Sequence, residues 1–120
     1  MTVKDCYVSI GGDYDGVLGR FRSEERIQRF ALKFLTDSSF HDLCQFLEAQ
    51  NYTEAFRAAH TLKGVTQNLG FTQLYNSSHE MAENLRDGHP EDVSELLEQI
   101  KQDYEQTIAA LRVLQAAQNG

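Results

Sequence analysis

Apolar residues recur along this chain at i, i+3, i+4 and i+7, a period that an α-helix can bury and a strand cannot. The longest such stretch, Val93, Leu96, Leu97, Ile100, Tyr104, Ile108, Leu111 and Leu114, holds one face for about six turns. The only proline is Pro90, so nothing elsewhere forces a break in helical hydrogen bonding. No segment alternates with the period of two that marks a half-buried strand. The expected fold class is all-α.

Residues 2–10 are expected to form a short helix, broken by Gly11-Gly12-Asp13, with Gly16 and Gly19 keeping the next stretch irregular or short. Ser23 followed by Glu24 and Glu25 reads as a helix start, and Ile27, Phe30, Ala31, Phe34 and Leu35 supply its buried face. Phe40, Leu43, Cys44 and Leu47 repeat the period, with Ser38 or Ser39 as N-cap. Asn51-Tyr52-Thr53-Glu54 has the form of a capping box opening a helix that runs to Leu69, with Gly70 as its terminator. Phe71, Leu74, Tyr75, Met81, Ala82 and Leu85 follow almost at once and stop at Asp87-Gly88, which predicts an antiparallel hairpin. His89-Pro90 suits a cap and first helical position for the last helix. Short connections between such elements describe an antiparallel up-down four-helix bundle over 39–118, with residues 1–38 as an N-terminal helical cap on it.

The chain carries a formal charge of −7, and its eleven basic residues are spread with no block of them, which argues against nucleic acid and for protein partners. Cys6 and Cys44 both sit in apolar-periodic segments and are expected as reduced, buried thiols. The first ten residues lack the pattern of a signal peptide, and no apolar run approaches the roughly 18 residues that cross a bilayer. The expectations are a cytoplasmic location, no membrane contact and a monomer, since no second apolar stripe is left over.

On the helix that ends at Leu69, a projection at 100° per residue gathers Ala55, Ala59, Leu62, Thr66 and Leu69 on one arc, with Tyr52 at its margin. His60 falls about 130° from the centre of that arc and points outward. Its neighbours by turn are Phe56 at i−4, Lys63 at i+3 and Gly64 at i+4, with Gln67 further along the same line. A glycine inside an exposed helix costs about 1 kcal/mol relative to alanine, with no folding reason to accept it. Phe56 likewise puts apolar surface beside an outward histidine. Both choices make sense if another protein must reach the imidazole, with Gly64 leaving the approach open and Phe56 giving an apolar docking contact. An ammonium at Lys63 could then offset the roughly two charges of a phosphoryl group on the ring. Imidazole is a nucleophile near neutral pH, and a phosphorus–nitrogen bond stays labile enough to pass the group on. No Gly-rich phosphate loop is present and no carboxylates cluster near His60 to hold Mg²⁺. His41, His79 and His89 share no ligand spacing with His60, so surface or capping roles are expected and no metal site.

The run Ala59-His60-Thr61-Leu62-Lys63-Gly64, followed by Asn68-Leu69-Gly70, closely resembles the signature of the histidine-containing phosphotransfer (HPt) family. The resemblance covers roughly Phe40 to Leu114, with a weaker match from Gly11 to Leu35. It implies a four-helix bundle, phosphorylation of His60 on Nε2, and exchange with the aspartate of a receiver domain in a His-Asp relay of a two-component system. It implies as partners a response-regulator receiver domain or a histidine kinase, and that the receiver brings the Mg²⁺, so that no cofactor is expected on this chain. The protein would then be a phosphohistidine carrier rather than an autonomous kinase. In one respect the sequence departs from the family. Members often carry Gln or Glu about 22 residues after the histidine to orient its ring, and this chain has Ala82, leaving Ser78, His79, Glu83 or a water as substitutes. The alternative is a helical module that binds or sequesters a receiver without chemistry.

Overall fold

The computed structural model describes residues 1–87 and 90–119. The described residues form seven α-helices: α1 (Val3–Ser9), α2 (Tyr14–Phe21), α3 (Glu24–Lys33), α4 (Ser39–Glu48), α5 (Tyr52–Leu69), α6 (Thr72–Leu85) and α7 (Val93–Asn119), with a 3₁₀ turn at Phe34–Thr36. No strand occurs among them. Helices α4 to α7 pack each on the next in an up-down bundle, while α1 and α3 lie against α7, and α3 also against α5.

Local chemistry sets most of the boundaries. Ser23 caps α3 by accepting from the Arg26 N–H at 3.0 Å, and Thr2 and Asp5 form a reciprocal capping box on α1. At α4 Ser38 is the N-cap as expected, but its side chain caps no backbone N–H: Asp37 Oδ1 accepts from the Ser39 N–H at 2.9 Å, while the Ser38 hydroxyl donates to Asp42 at 3.1 Å. The capping box at Asn51 forms by half. Asn51 Oδ1 accepts from the Glu54 N–H at 3.3 Å, but Glu54 turns away to pair with Arg57 at 2.9 Å. Pro90 is not the first helical residue, because α7 begins only at Val93; Gly88 and His89 lie outside the described residues. The Asn84 side chain bridges this connection, accepting from the Glu91 N–H at 3.1 Å and donating to the Glu91 carbonyl. With Gly16 and Gly19 the next stretch is short, as expected, and helical: α2 runs eight residues, capped by Asp13, which accepts from the Gly16 N–H at 3.1 Å.

One apolar core joins the N-terminal helices to the bundle. A row of aromatic rings runs through it. Tyr7 meets Phe71 at 5.6 Å between centroids, Phe71 meets Phe34 at 5.4 Å, Phe34 meets Tyr104 at 6.0 Å, and Tyr104 stacks on Phe40 at 4.2 Å. Such pairs contribute about 0.5–1.5 kcal/mol each beyond burial, and here they link α1, the start of α6, the 3₁₀ turn, α7 and α4. Both thiols are free; Cys6 is buried and Cys44 half-buried, and burial pushes the Cys6 thiol up to about 11. No helix among the described residues is long and apolar enough to cross a membrane.

Candidate functional site

Helix α5 is built so that one face disappears into the bundle. Ala55, Ala59, Leu62 and Thr66 are fully buried and Leu69 nearly so, as the projection predicts, and three alanines at 55, 58 and 59 keep that face thin. Thr66 tolerates burial because its hydroxyl donates to the Leu62 carbonyl at 2.8 Å. The opposite face carries His60, Thr61, Gly64, Gln67 and Asn68, all exposed.

The C-terminal end of α5 is held by residues far away in sequence. Gly70 adopts φ 69°, and a side chain there would also run into Val17 Cγ2 and meet the Asp13 carbonyl at 3.1 Å, so glycine is required twice over. The buried Tyr7 hydroxyl donates to the Leu69 carbonyl at 2.6 Å, and burial pushes its titration well above the ordinary tyrosine value. The Asp13 N–H donates to the Gly70 carbonyl at 2.9 Å. Arg20 Nη2 donates to the carbonyls of Gln67 at 3.2 Å and Asn68 at 2.9 Å. These partners went unread in the sequence, because pairs separated by 47 to 62 positions leave no trace in local periodicity.

Around His60 the expected neighbours are in place. The Phe56 ring lies 6.0 Å from the imidazole, tilted by 30°, and the Arg86 guanidinium carbon sits 5.8 Å from the centre of that phenyl ring. Phe56 is half-buried and packs against the core, so it serves the fold as well as presenting an edge to solvent. Lys63 is half-buried. An added Cβ at Gly64 would meet nothing within 4 Å, so no crowding inside the molecule accounts for this glycine.

On the adjoining edge of α6, Glu83 accepts from Arg86 at 2.6 Å. That hydrogen bond holds the Glu83 carboxyl below its ordinary value, with the Arg86, His79 and Lys63 charges acting in the same direction. His79 stacks on Tyr75 at 6.0 Å, and its buried Nδ1 has no partner among the described residues. Ala82 is fully buried, so its methyl belongs to the core and not to the face that carries His60. Of the substitutes for an orienting residue, Ser78 is fully buried, Glu83 is engaged by Arg86, and none hydrogen-bonds His60 among the described residues.

The arrangement offers a solvent-facing nucleophile, an open helix surface one turn away, and cations close by. Among the described residues no three His, Cys, Asp or Glu side chains are grouped to hold a metal ion. Residues 23–110 match the family model described as Hpt domain. No curated protein and no solved structure matches the chain.

Proposed function

Because this chain belongs to the Hpt domain family, whose members carry out histidine phosphotransfer in phosphorelays, we propose that His60 is the residue that carries the phosphoryl group to or from a receiver-domain aspartate. The observation that carries this reading is an exposed histidine one helical turn from a helix-interior glycine with empty space around it. In the forward step the lone pair of neutral His60 Nε2 attacks the phosphorus of an aspartyl phosphate. The phosphorus–oxygen bond breaks, its electron pair returns to the aspartate carboxylate, and a phosphorus–nitrogen bond forms while Nδ1 keeps its proton. Microscopic reversal returns the group to another aspartate. Such a transfer asks mainly for positioning and charge compensation. In this reading Lys63 offsets the phosphoryl charge, Gly64 and Gln67 leave room for the partner, and the Mg²⁺ comes with the receiver.

Ring orientation falls to Phe56. The phenyl ring lies near both the imidazole and the Arg86 guanidinium, and Glu83 holds that guanidinium in turn. Aromatic packing and a cation over the ring, each about 0.5–1 kcal/mol at an exposed site, then do what a hydrogen bond from position 82 does in other members.

Mixing the protein with a phosphorylated receiver domain is expected to give an acid-labile label on this chain, absent from His60→Gln. Persistence of the label on that variant would remove His60 from the role. The second reading is a module that binds a receiver without chemistry, which the absence of a hydrogen bond to His60 among the described residues favours. It predicts receiver binding that survives His60→Ala, with no label on the wild-type chain.

A further inference from the structure

Five of the eleven basic residues, Arg20, Arg22, Arg26, Arg29 and Lys33, fall within residues 20–33, opposed there only by Glu24 and Glu25. Interrupted by apolar positions, they read as scattered in sequence. In the fold this stretch, with a net charge of 5 − 2 = +3 in a chain of −7, spans the end of α2 and all of α3, and α3 packs against α5. Arg20 lines a shallow groove whose other walls are Gly64, Gln67 and Asn68. Lys33 lines a second groove with Phe30, Val65, Asn68 and one acid, Asp37, its ammonium 5.1 Å from the Phe30 ring centre. Both grooves meet at Asn68, and Gly64 is one turn from His60, about 6 Å along the axis.

Arg20 is one of several groups that hold the end of α5: the Gln67 carbonyl that it contacts also accepts from the Gly70 N–H, and Tyr7 and Asp13 meet the Leu69 and Gly70 carbonyls. What the two hydrogen bonds from Arg20 also achieve is to fix an exposed guanidinium beside the open surface at Gly64. An aspartate that takes up a phosphoryl group with the help of Mg²⁺ needs further carboxylates to hold the metal, so the face that it presents is acidic. A chain of net charge −7 repels such a face as a whole, and the basic rim is the part that attracts it.

We propose that Arg20, with Lys33 beyond it, forms a basic rim that recognises the acidic phosphoacceptor face of the receiver docking over His60 and Gly64. This rests on the reading of His60 as the phosphoryl carrier. Arg20 acts on encounter and register, not on the reacting atoms.

The test measures phosphoryl transfer to the full chain from a receiver domain phosphorylated with acetyl phosphate, across a range of NaCl, beside direct modification by the small donor phosphoramidate. Arg20→Gln keeps an amide donor for the helix end but drops the charge. It is expected to lower kcat/KM for the receiver about three- to tenfold at low salt, converge with wild type as salt screens the rim, and leave the phosphoramidate rate unchanged. Arg20→Lys is expected to restore most of the loss. A wild-type rate for Arg20→Gln at low salt overturns the inference, and so does a loss equal at all salt concentrations and shared by phosphoramidate, which would make Arg20 a helix cap only. If the wild-type chain takes no label from the receiver, the reading of His60 falls with it.

Discussion

Replacing Gly64 with alanine separates the demands of the fold from those of a partner, because the two predict opposite signs. The position lies inside α5, and an added Cβ meets nothing within 4 Å, so the methyl brings no clash. Alanine is favoured over glycine in a helix interior by about 0.8–1.0 kcal/mol, much of it through the lost freedom of the unfolded chain. With an unfolding entropy of about 2.1 cal/mol/K per residue, a chain of 120 residues has about 0.25 kcal/mol/K at the midpoint, so Tm rises by about 4 °C. Transfer moves the other way. The reacting atoms must come within about 3–3.5 Å, and a misplacement of about 1 Å costs on the order of a hundredfold. A methyl standing on the approach surface is therefore expected to lower the rate from a phosphorylated receiver by about tenfold or more, while the melt followed by circular dichroism shifts upward. A variant that melts at or below the wild-type temperature would show that the glycine serves the fold. One that melts higher and transfers at the wild-type rate would show that no partner needs the bare backbone.

Two further outcomes follow from groups buried away from His60. Tyr7→Phe strands the Leu69 carbonyl that the hydroxyl meets at 2.6 Å; the expected cost is about 1–3 kcal/mol, a drop in Tm of about 4–12 °C, and an unchanged melt would refute the role of that bond. The Cys6 thiol, raised from 9.0 to about 11 by burial, holds its proton longer folded than unfolded. Its contribution is therefore fully present below pH 9.0 and is lost as pH rises toward about 11. Denaturant unfolding across that window is expected to show a shallower loss in Cys6→Ala than in wild type, and identical slopes would refute the assignment.

The helices legible in the sequence are those whose stability is local. The arc on α5 is buried at every position that the projection placed there, because alanine, leucine and a back-bonded threonine leave no competing face. On α6 the apolar pattern was legible but incomplete, since Ser77 and Ser78 are also buried. Ser77 achieves this by returning its hydroxyl to the Gln73 and Leu74 carbonyls, which polarity alone does not signal. Pro90 misled for a different reason. Its fixed φ suits a helix start, but the Asn84 side chain holds Glu91 outside the helix, and Asp92 takes a left-handed φ of 53° before α7 begins. A tertiary clamp overrode a local preference.

The candidate site divides in the same way. His60, Lys63, Gly64 and Gln67 lie on one helix, so their common face follows from a period of 3.6 and needs no fold to be seen. What surrounds that face comes from elsewhere: Arg86 and Glu83 across a hairpin, and Tyr7, Asp13 and Arg20 from helices that the family match over residues 23–110 does not include. Three of these N-terminal residues hydrogen-bond carbonyls at the end of α5. The helix that carries His60 is thus anchored by a segment outside the recognised domain, and a motif confined to α5 holds no information about that segment. Family membership therefore supplies the chemistry, while the rigidity of the surface on which the chemistry is displayed depends on residues that only the folded chain brings together.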